Sequence, residues 1–361
     1  MKVGLIIYGS LETLSGGYLY DRKLVEHLRS EGDEVEVLSL PWRGYARHLR
    51  DNLSRSFVAR ILEGAFDVLV QDELNHPSLF LLNKRLRRRR ACPPIVSIVH
   101  HLRCSEARSR IENMAYRQVE RSYLQSVDGF VFNSQTTRRV VERVLLGSRP
   151  HVVAYPGADR LGPGATAEEI ALRADAPGPL RLLFLGNVIR RKGLLTLLQA
   201  LTRLPRGDWR LEVVGSLTVE SDHVSEIAQE VEALALTDRV RLHGAVEDDA
   251  DLVTFMKSCH ALVVPSTYEG FGIVYMEAAA FGLPSIASSA GAAKEIVTHA
   301  QSGFIVPPGD PDAVARHLRT WLEDRPLMGE MGRAARSRFE SHPTWAQSAA
   351  DIRAFLLEMT R

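Results

Sequence analysis

Short apolar runs recur along the chain, each followed by a polar or Gly/Pro-punctuated turn and then by a segment with helical periodicity. Residues 2–8, 34–40, 67–71, 94–99 and 127–133 read as strands of the kind buried in a parallel sheet, with helices over 18–30 and 135–146 among the stretches between them. The run at 127–133 is expected to be the last strand of this half. Residues 154–159 and 176–179 then bracket a Gly/Pro/Ala-rich stretch that reads as a connection between domains. The βα rhythm restarts at 180–185 and continues through 211–214, 240–242, 261–264, 285–287 and 303–306. The expectation is an α/β protein of two doubly wound, Rossmann-like domains: 1–155, a linker over 156–179, 180–343, and a C-terminal segment 344–361.

The most informative stretch is 261–290. Its apolar strand breaks at Pro265 into a polar loop, and a helix begins near Phe271 and stops at Gly282-Leu283-Pro284. A loop that enters a helix through Gly270-Phe271-Gly272, with Ile273 next, presents free backbone N–H groups and the positive end of the helix dipole, and the glycines let a ligand approach closely. This is an anion site. Glu269 and Glu277, about two helical turns apart by count, supply hydroxyl acceptors in the same stretch. Taken alone, such a pair also reads as a loop carboxylate and a solvated helix face.

A second strand-to-helix turn, 185–193, gathers Asn187, Arg190, Arg191 and Lys192, cations suited to a phosphate or to an ordinary solvated turn. Gly16-Gly17 follows the first strand. His100 and His101 follow the strand at 94–99, where a histidine is more often structural than functional; His101 with Cys104 lacks a third ligand in spacing for a metal site. Asp249-Ala250-Asp251 has the spacing of a metal-binding acidic pair, but it precedes a helix, where first-turn acids complement the dipole. No metal is expected.

Composition narrows the classes. With 361 residues, 45% hydrophobic and 25% charged, the chain is long enough for two domains and a large core. The net charge of +1 hides an asymmetry: 26 Lys and Arg against 21 Asp and Glu over residues 1–175, and 19 against 23 beyond. Three cysteines without C-x-x-C spacing argue against a disulfide framework or a zinc ribbon. No apolar run approaches the ~20 residues of a membrane span, and the N-terminus reads as a core strand, so a cytoplasmic protein is expected. Lys84, Arg85, Arg87, Arg88, Arg89 and Arg90 form the densest charge run. They read as the solvated end of a helix or as a patch that meets anionic lipid at the inner membrane face. Without aromatic interleaving, nucleic acid is a poor fit.

The motif E-G-F-G-I-V-Y-M-E, with seven residues between the glutamates and A-x-A-x-G-L-P after it, closely resembles the signature of the family 4 glycosyltransferases, retaining enzymes with the two-domain GT-B fold and a central cleft. The resemblance extends over nearly the whole chain. It implies a retaining, metal-independent hexosyltransferase that moves a glucose- or mannose-type sugar from a nucleoside diphosphate sugar, UDP-linked by a slight preference, to a hydroxyl acceptor: a sugar, a lipid-linked molecule or a small molecule.

By that resemblance Glu277 holds the ribose, Glu269 the 3-hydroxyl region of the sugar, and the amides of Gly270, Phe271 and Gly272 line sugar and diphosphate. Lys192 matches the family's phosphate-binding lysine. The family arginine falls on Asn187, a departure for which Arg191 is the substitute. Gly16-Gly17 faces the diphosphate, His100 meets the sugar with His101 in reserve, and the base lies near residues 243–246, ending at Val246. The C-terminal segment resembles a helix that returns to the first domain. A catalytically silent nucleotide-sugar-binding protein, a phosphorylase or an epimerase are the alternatives.

Overall fold

A computed structural model describes residues 1–89, 92–106, 108–246 and 248–361. The chain divides into two compact units, Met1–Gly157 with Pro343–Arg361, and Ala158–His342. The first holds strands β1 (Lys2–Tyr8), β2 (Glu34–Leu40), β3 (Val68–Asp72), β4 (Ile95–Val99), β5 (Gly129–Phe132) and β6 (His151–Val153). Its helices are α1 (Gly16–Ser30), α2 (Tyr45–Asp51), α3 (Arg55–Glu63), α4 (His76–Leu86), α5 (Arg110–Leu124) and α6 (Gln135–Leu145). The second unit holds helices α7 (Ala167–Asp175), α8 (Leu194–Leu201), α9 (Ser221–Ala233), α10 (Asp249–Ser258), α11 (Ile273–Ala280), α12 (Ala293–Ile296), α13 (Pro311–Glu323) and α14 (Arg325–Glu340). Its strands are β7 (Leu180–Leu185), β8 (Trp209–Val214), β9 (Val240–Gly244), β10 (Ala261–Val264), β11 (Ser285–Ser288) and β12 (Gly303–Val306). The chain ends in α15 (Trp345–Met359).

Both sheets are parallel throughout, in the orders β2-β1-β3-β4-β5-β6 and β12-β11-β10-β7-β8-β9. A parallel sheet needs helices on both faces, so its strands are apolar nearly without interruption. That explains the buried runs Ile95–Val99 and Ala261–Val264. In each sheet the order reverses beside the strand that opens the unit, which places the loops after the neighbouring strands' C-terminal ends at the switch point where such folds bind ligands.

Three expectations need correction. The run at 127–133 is not the last strand of the first unit: β6 pairs with β5 through Phe130–His151 to Phe132–Val153. Three half-buried residues at a sheet edge leave little apolar signal. Nor is 156–179 a linker, because from Ala158 onward it belongs to the second unit and carries α7. Thr166 and Glu169 close a capping box at its start, and Gly164 approaches the Ala280 carbonyl so closely that a Cβ there would lie at 1.9 Å. Finally, Gly16 and Gly17 are not a turn before α1 but its first two residues, capped by the Ser15 hydroxyl.

The last helix completes the first unit. Trp345, Ile352, Phe355 and Leu356 are buried, Ser348 Oγ donates to the Tyr155 carbonyl at 2.6 Å, and Arg353 Nε donates to Asp33 at 2.7 Å. Among the described residues no helix is long and apolar enough to cross a membrane. Leu356 is wholly enclosed. Leu356→Ala is therefore expected to cost about 2–5 kcal/mol in denaturant unfolding, as for other buried leucines. A loss within ~0.5 kcal/mol, typical of a surface position, would show that α15 is not part of this core.

Candidate functional site

In the second unit Lys192 and Arg191, both singled out by sequence, converge on one carboxylate, that of Glu269. Glu269 lies in the loop between β10 and α11 and is 5% exposed. Its Oε1 accepts from Lys192 Nζ and from Ser266 Oγ, both at 2.7 Å, and Arg191 Nη1 stands 3.6 Å from Oε2. Arg191 Nη1 also donates to the Tyr268 carbonyl at 2.7 Å.

Two loops must touch for this to happen, and the backbone shows how. After β7 the chain makes one 3-10 turn, Arg190–Lys192, and Gly193 then takes a left-handed conformation (φ 75°) from which a Cβ would strike the Pro265 carbonyl at 2.3 Å. Thr267 N donates to the Arg191 carbonyl at 2.7 Å, stitching the loops together. On the other side Gly291 (φ 87°) lies where a Cβ would sit 1.9 Å from the Glu269 carbonyl, which accepts from Ala292 N at 2.9 Å.

The electrostatics follow from this packing. Burial alone would push the Glu269 carboxyl up, yet Lys192, Arg191 and the bonds from Lys192 and Ser266 bring it down to about 2. It is an ionised, enclosed carboxylate with cations at hand.

Glu277, in α11, is 2% exposed, so it is not a solvated helix face. Only residues from Ile273 onward are helical, and Glu269 precedes the helix in its loop. Arg160 Nε donates to Glu277 Oε1 at 2.7 Å, and Arg160 also pairs with Asp249. Burial raises the Glu277 carboxyl, and Arg160 opposes the rise. No hydrogen bond to Oε2 is found among the described residues. Asp249 and Asp251 occupy the first turn of α10 behind the Asp248 cap, as dipole-complementing acids do.

The helix entry is built as expected. Gly272 caps α11 in the left-handed region (φ 95°), where a Cβ would lie 2.6 Å from the Tyr275 ring. Tyr275 Oη donates to the Val264 carbonyl at 2.7 Å beneath the loop. Gly270 and Ile273 are half-buried, while the Phe271 ring is buried and stacked on His342. Asn187 sits half-buried after β7, its carbonyl accepting from Ile189 N at 2.9 Å. Val246 is half-buried beyond β9, and His243 pairs with Glu212 at 2.6 Å.

In the first unit, Gly17 lies against His100, whose Cδ2 would be 3.3 Å from a Cβ at that glycine. His100 Nε2 stands 3.4 Å from Asp21 Oδ1, an ion-pair distance without the alignment of a hydrogen bond. His101 turns instead to Glu106, at 2.9 Å. Asp72 and Glu73, at the end of β3, are buried nearby. Burial raises Asp72, and it pushes Glu73 up to about 8.

Two groups of three bring ligand-type atoms within 4.8 Å among the described residues: Asp21, Asp72 and His100, and Glu73, His76 and Glu120. Neither includes Cys104. In the second group Glu73 Oε1 has no hydrogen-bond partner among the described residues, whereas the other two members are engaged. His76 contacts the Glu73 carbonyl at 3.1 Å and Tyr45 Oη at 3.0 Å, and Glu120 accepts from the amides of Arg103 and Cys104.

The basic run is partly structural. Lys84 donates to Ser122 Oγ at 2.9 Å, Arg85 to the Asn52 carbonyl at 2.6 Å, and Arg87 pairs with Asp128 at 2.6 Å. Arg88 and Arg89 are exposed, and Arg90 lies outside the described residues.

Sequence reasoning missed Asp21, Asp72, Glu73, Arg160 and Ser266. Asp72-Glu73, carboxylates at the end of an apolar parallel strand, carried a usable signal. Arg160 carried none, because its partner Glu277 is 117 residues away.

Comparison with known proteins bears on family and fold. Residues 20–160 match the family described as Glycosyltransferase Family 4, and residues 168–338 match Glycosyl transferases group 1. The chain is 32% identical to D-rhamnosyltransferase WbpZ of Pseudomonas aeruginosa over 240 residues, 64% of this chain and 60% of that protein, so it spans less than two thirds of that relative. It is 29% identical to the phosphatidyl-myo-inositol mannosyltransferase of Mycolicibacterium smegmatis over 98% of this chain and 92% of that one. Among solved structures, sucrose-phosphate synthase from Thermosynechococcus elongatus superposes with a TM-score of 0.83 at 22% identity, covering 99% of this chain and 98% of that one. Anabaena Alr3699/HepE in complex with UDP and glucose gives 0.77 at 21% identity, with 99% of each chain covered.

The ion pair makes a direct prediction. Lys192→Met strands an enclosed carboxylate and is expected to cost about 3–5 kcal/mol in denaturant unfolding, with part of the loss recovered in the Lys192→Met/Glu269→Gln double variant. Because the folded carboxyl titrates at about 2 and the unpaired one at 4.5, its stabilisation is complete above about pH 4.5 and lost as pH falls to about 2. Equal pH profiles for wild type and Glu269→Gln across that window would contradict the assignment.

Proposed function

The chain belongs to glycosyltransferase family 4 and has the GT-B fold, and on that premise we propose that it transfers a hexose from a nucleoside diphosphate sugar to a hydroxyl acceptor, with retention and without a metal. The observation that carries this reading is the enclosed Glu269 carboxylate between Lys192 and Arg191, at the mouth of the α11 N-terminus. A sugar hydroxyl and a diphosphate are the two groups that a carboxylate and its adjacent cations take up together.

In this reading Lys192 and Arg191 stabilise negative charge on the departing diphosphate, beside the amides of Gly270, Phe271 and Gly272. Glu269 accepts from a sugar hydroxyl and Glu277 from the ribose, while residues 243–246 flank the base. In the first unit, by the family resemblance alone, His100 is the residue proposed to meet a sugar hydroxyl. The anomeric C–O bond breaks with its electrons passing to the phosphate oxygen. The acceptor oxygen then bonds from the same face, and its proton goes to the departing phosphate. No protein nucleophile takes part. Relatives named for transfer of rhamnose and mannose, and a fold neighbour solved with UDP and glucose, support a hexose and a UDP-linked donor.

A silent binding protein is the second reading, favoured by Asn187 at the family arginine's position. Arg191 weighs against it, because it brings a guanidinium to the Glu269 cluster from four residues further on.

Thermal unfolding against a panel of UDP-, GDP- and ADP-sugars tests the proposal. One nucleotide class should stabilise the protein, by about 2.7 kcal/mol at a hundredfold excess over its Kd, equally with and without EDTA. Glu277→Ala should abolish transfer in a folded protein. Stabilisation by none of the panel, or wild-type turnover in that variant, would refute it.

A further inference from the structure

His100 sits in an environment its proposed contact with a sugar does not explain. Asp21, in α1, is wholly enclosed, and neither carboxylate oxygen has a hydrogen-bond partner among the described residues. Burying a carboxylate in that state costs several kcal/mol unless a cation compensates it. The nearest cationic group is His100, whose Nε2 is 3.4 Å from Oδ1.

The ring's orientation is over-determined. Gly17 leaves room for its Cδ2 edge, and the Tyr20 ring meets it edge-on at 5.3 Å between centroids. Tyr20 is itself anchored by a bond from its hydroxyl to the Ala154 carbonyl at 2.8 Å. The His100 carbonyl accepts from Asn133 Nδ2 at 2.9 Å, fixing the strand end. Nε2 is thereby enclosed. Nδ1 is not among the enclosed atoms, and the side chain keeps 17% of its surface exposed.

We propose that Asp21 is a positioning residue for His100: it turns Nε2 inward and holds the ring as an imidazolium, so that Nδ1–H is offered as a charged hydrogen-bond donor to a hydroxyl or phosphate oxygen of the substrate. This rests on the proposed role of His100 at the sugar, and it deepens that role. With both nitrogens protonated, His100 is a donor throughout the neutral range and cannot act as a general base. The charged groups around the ring agree. Burial disfavours the imidazolium, but Asp21 on α1, Asp72 on β3 and Glu73 just beyond it lift it to about 9. The adjacent carboxylate balances the added charge, so little net positive charge faces a cationic transition state.

The test is the imidazole nitrogen NMR signal of His100, assigned with His100→Gln, followed from pH 5 to 10 in wild type, Asp21→Asn and Asp21→Glu. Wild type should show both nitrogens protonated at pH 7.5 and a midpoint near 9. Asp21→Asn should lower the midpoint by about one unit or more, and Asp21→Glu should restore most of it. A neutral ring in wild type at pH 7.5, or an unchanged midpoint in Asp21→Asn, overturns the proposal, and the wild-type titration decides even if the variant fails to fold. Affinity for the stabilising nucleotide sugar should stay level in wild type between pH 6.5 and 8.5 and fall in Asp21→Asn; parallel curves would overturn the substrate-facing part. The titration needs no ligand, so a donor panel without hits and a failed ion pair are separate results.

Discussion

A carboxylate buried in a loop between strand and helix has to be neutralised, and much of the second unit's local geometry follows from how Glu269 meets that demand. Its cations come from another crossover, so the loops after β7 and β10 must close on each other. That closure requires glycine at 193, and the approach of the β11–α12 connection requires glycine at 291. The same contact draws Lys192 and Arg191 toward the N-terminus of α11, where backbone N–H groups already favour an anion. In the proposed function, stability and ligand chemistry share one set of atoms. A ligand that contributes both hydroxyls and phosphates can exchange partners with this cluster without leaving a charge stranded.

The first unit treats its acids differently. Glu73 and Glu120 lie deep beside His76, without a full countercharge; burial pushes the two carboxyls up to about 8 and 7, and His76 down to about 4. Asp21 instead has an imidazole within ion-pair reach. The enclosed carboxylates of this unit therefore divide into Glu73 and Glu120, whose burial favours the protonated form, and Asp21, which faces an imidazole. What separates them is distance to a cation, which burial alone does not reveal.

This distinction also marks how far the sequence could be read. Eleven of the twelve strands announced themselves as apolar runs because a two-sided parallel sheet leaves little place for polar residues. β6 did not, being short, half-buried and led by a histidine. α7 hid between Gly and Pro clusters, although the Thr166-Ala167-Glu168-Glu169 capping box was in plain view. At the site, Glu269, Glu277, Lys192 and the glycines were legible through local spacing. Where the Arg191 side chain points was not, since it depends on the loop at Tyr268 folding back 77 residues later. Asp21 reads in sequence as one more helix polar residue, and only the approach of His100, just past β4, to α1 gives it a partner.

The central claim is that Glu269 and Lys192 divide one donor between them, sugar and diphosphate. Calorimetric titration of the stabilising nucleotide sugar and of its sugar-free nucleoside diphosphate into Glu269→Gln and Lys192→Met tests it most directly. Glu269→Gln should lose affinity for the nucleotide sugar and keep it for the nucleoside diphosphate, whereas Lys192→Met should lose both, by about tenfold or more for each lost charged hydrogen bond. Equal losses for the two ligands in Glu269→Gln, or an undiminished affinity in Lys192→Met, would contradict that division.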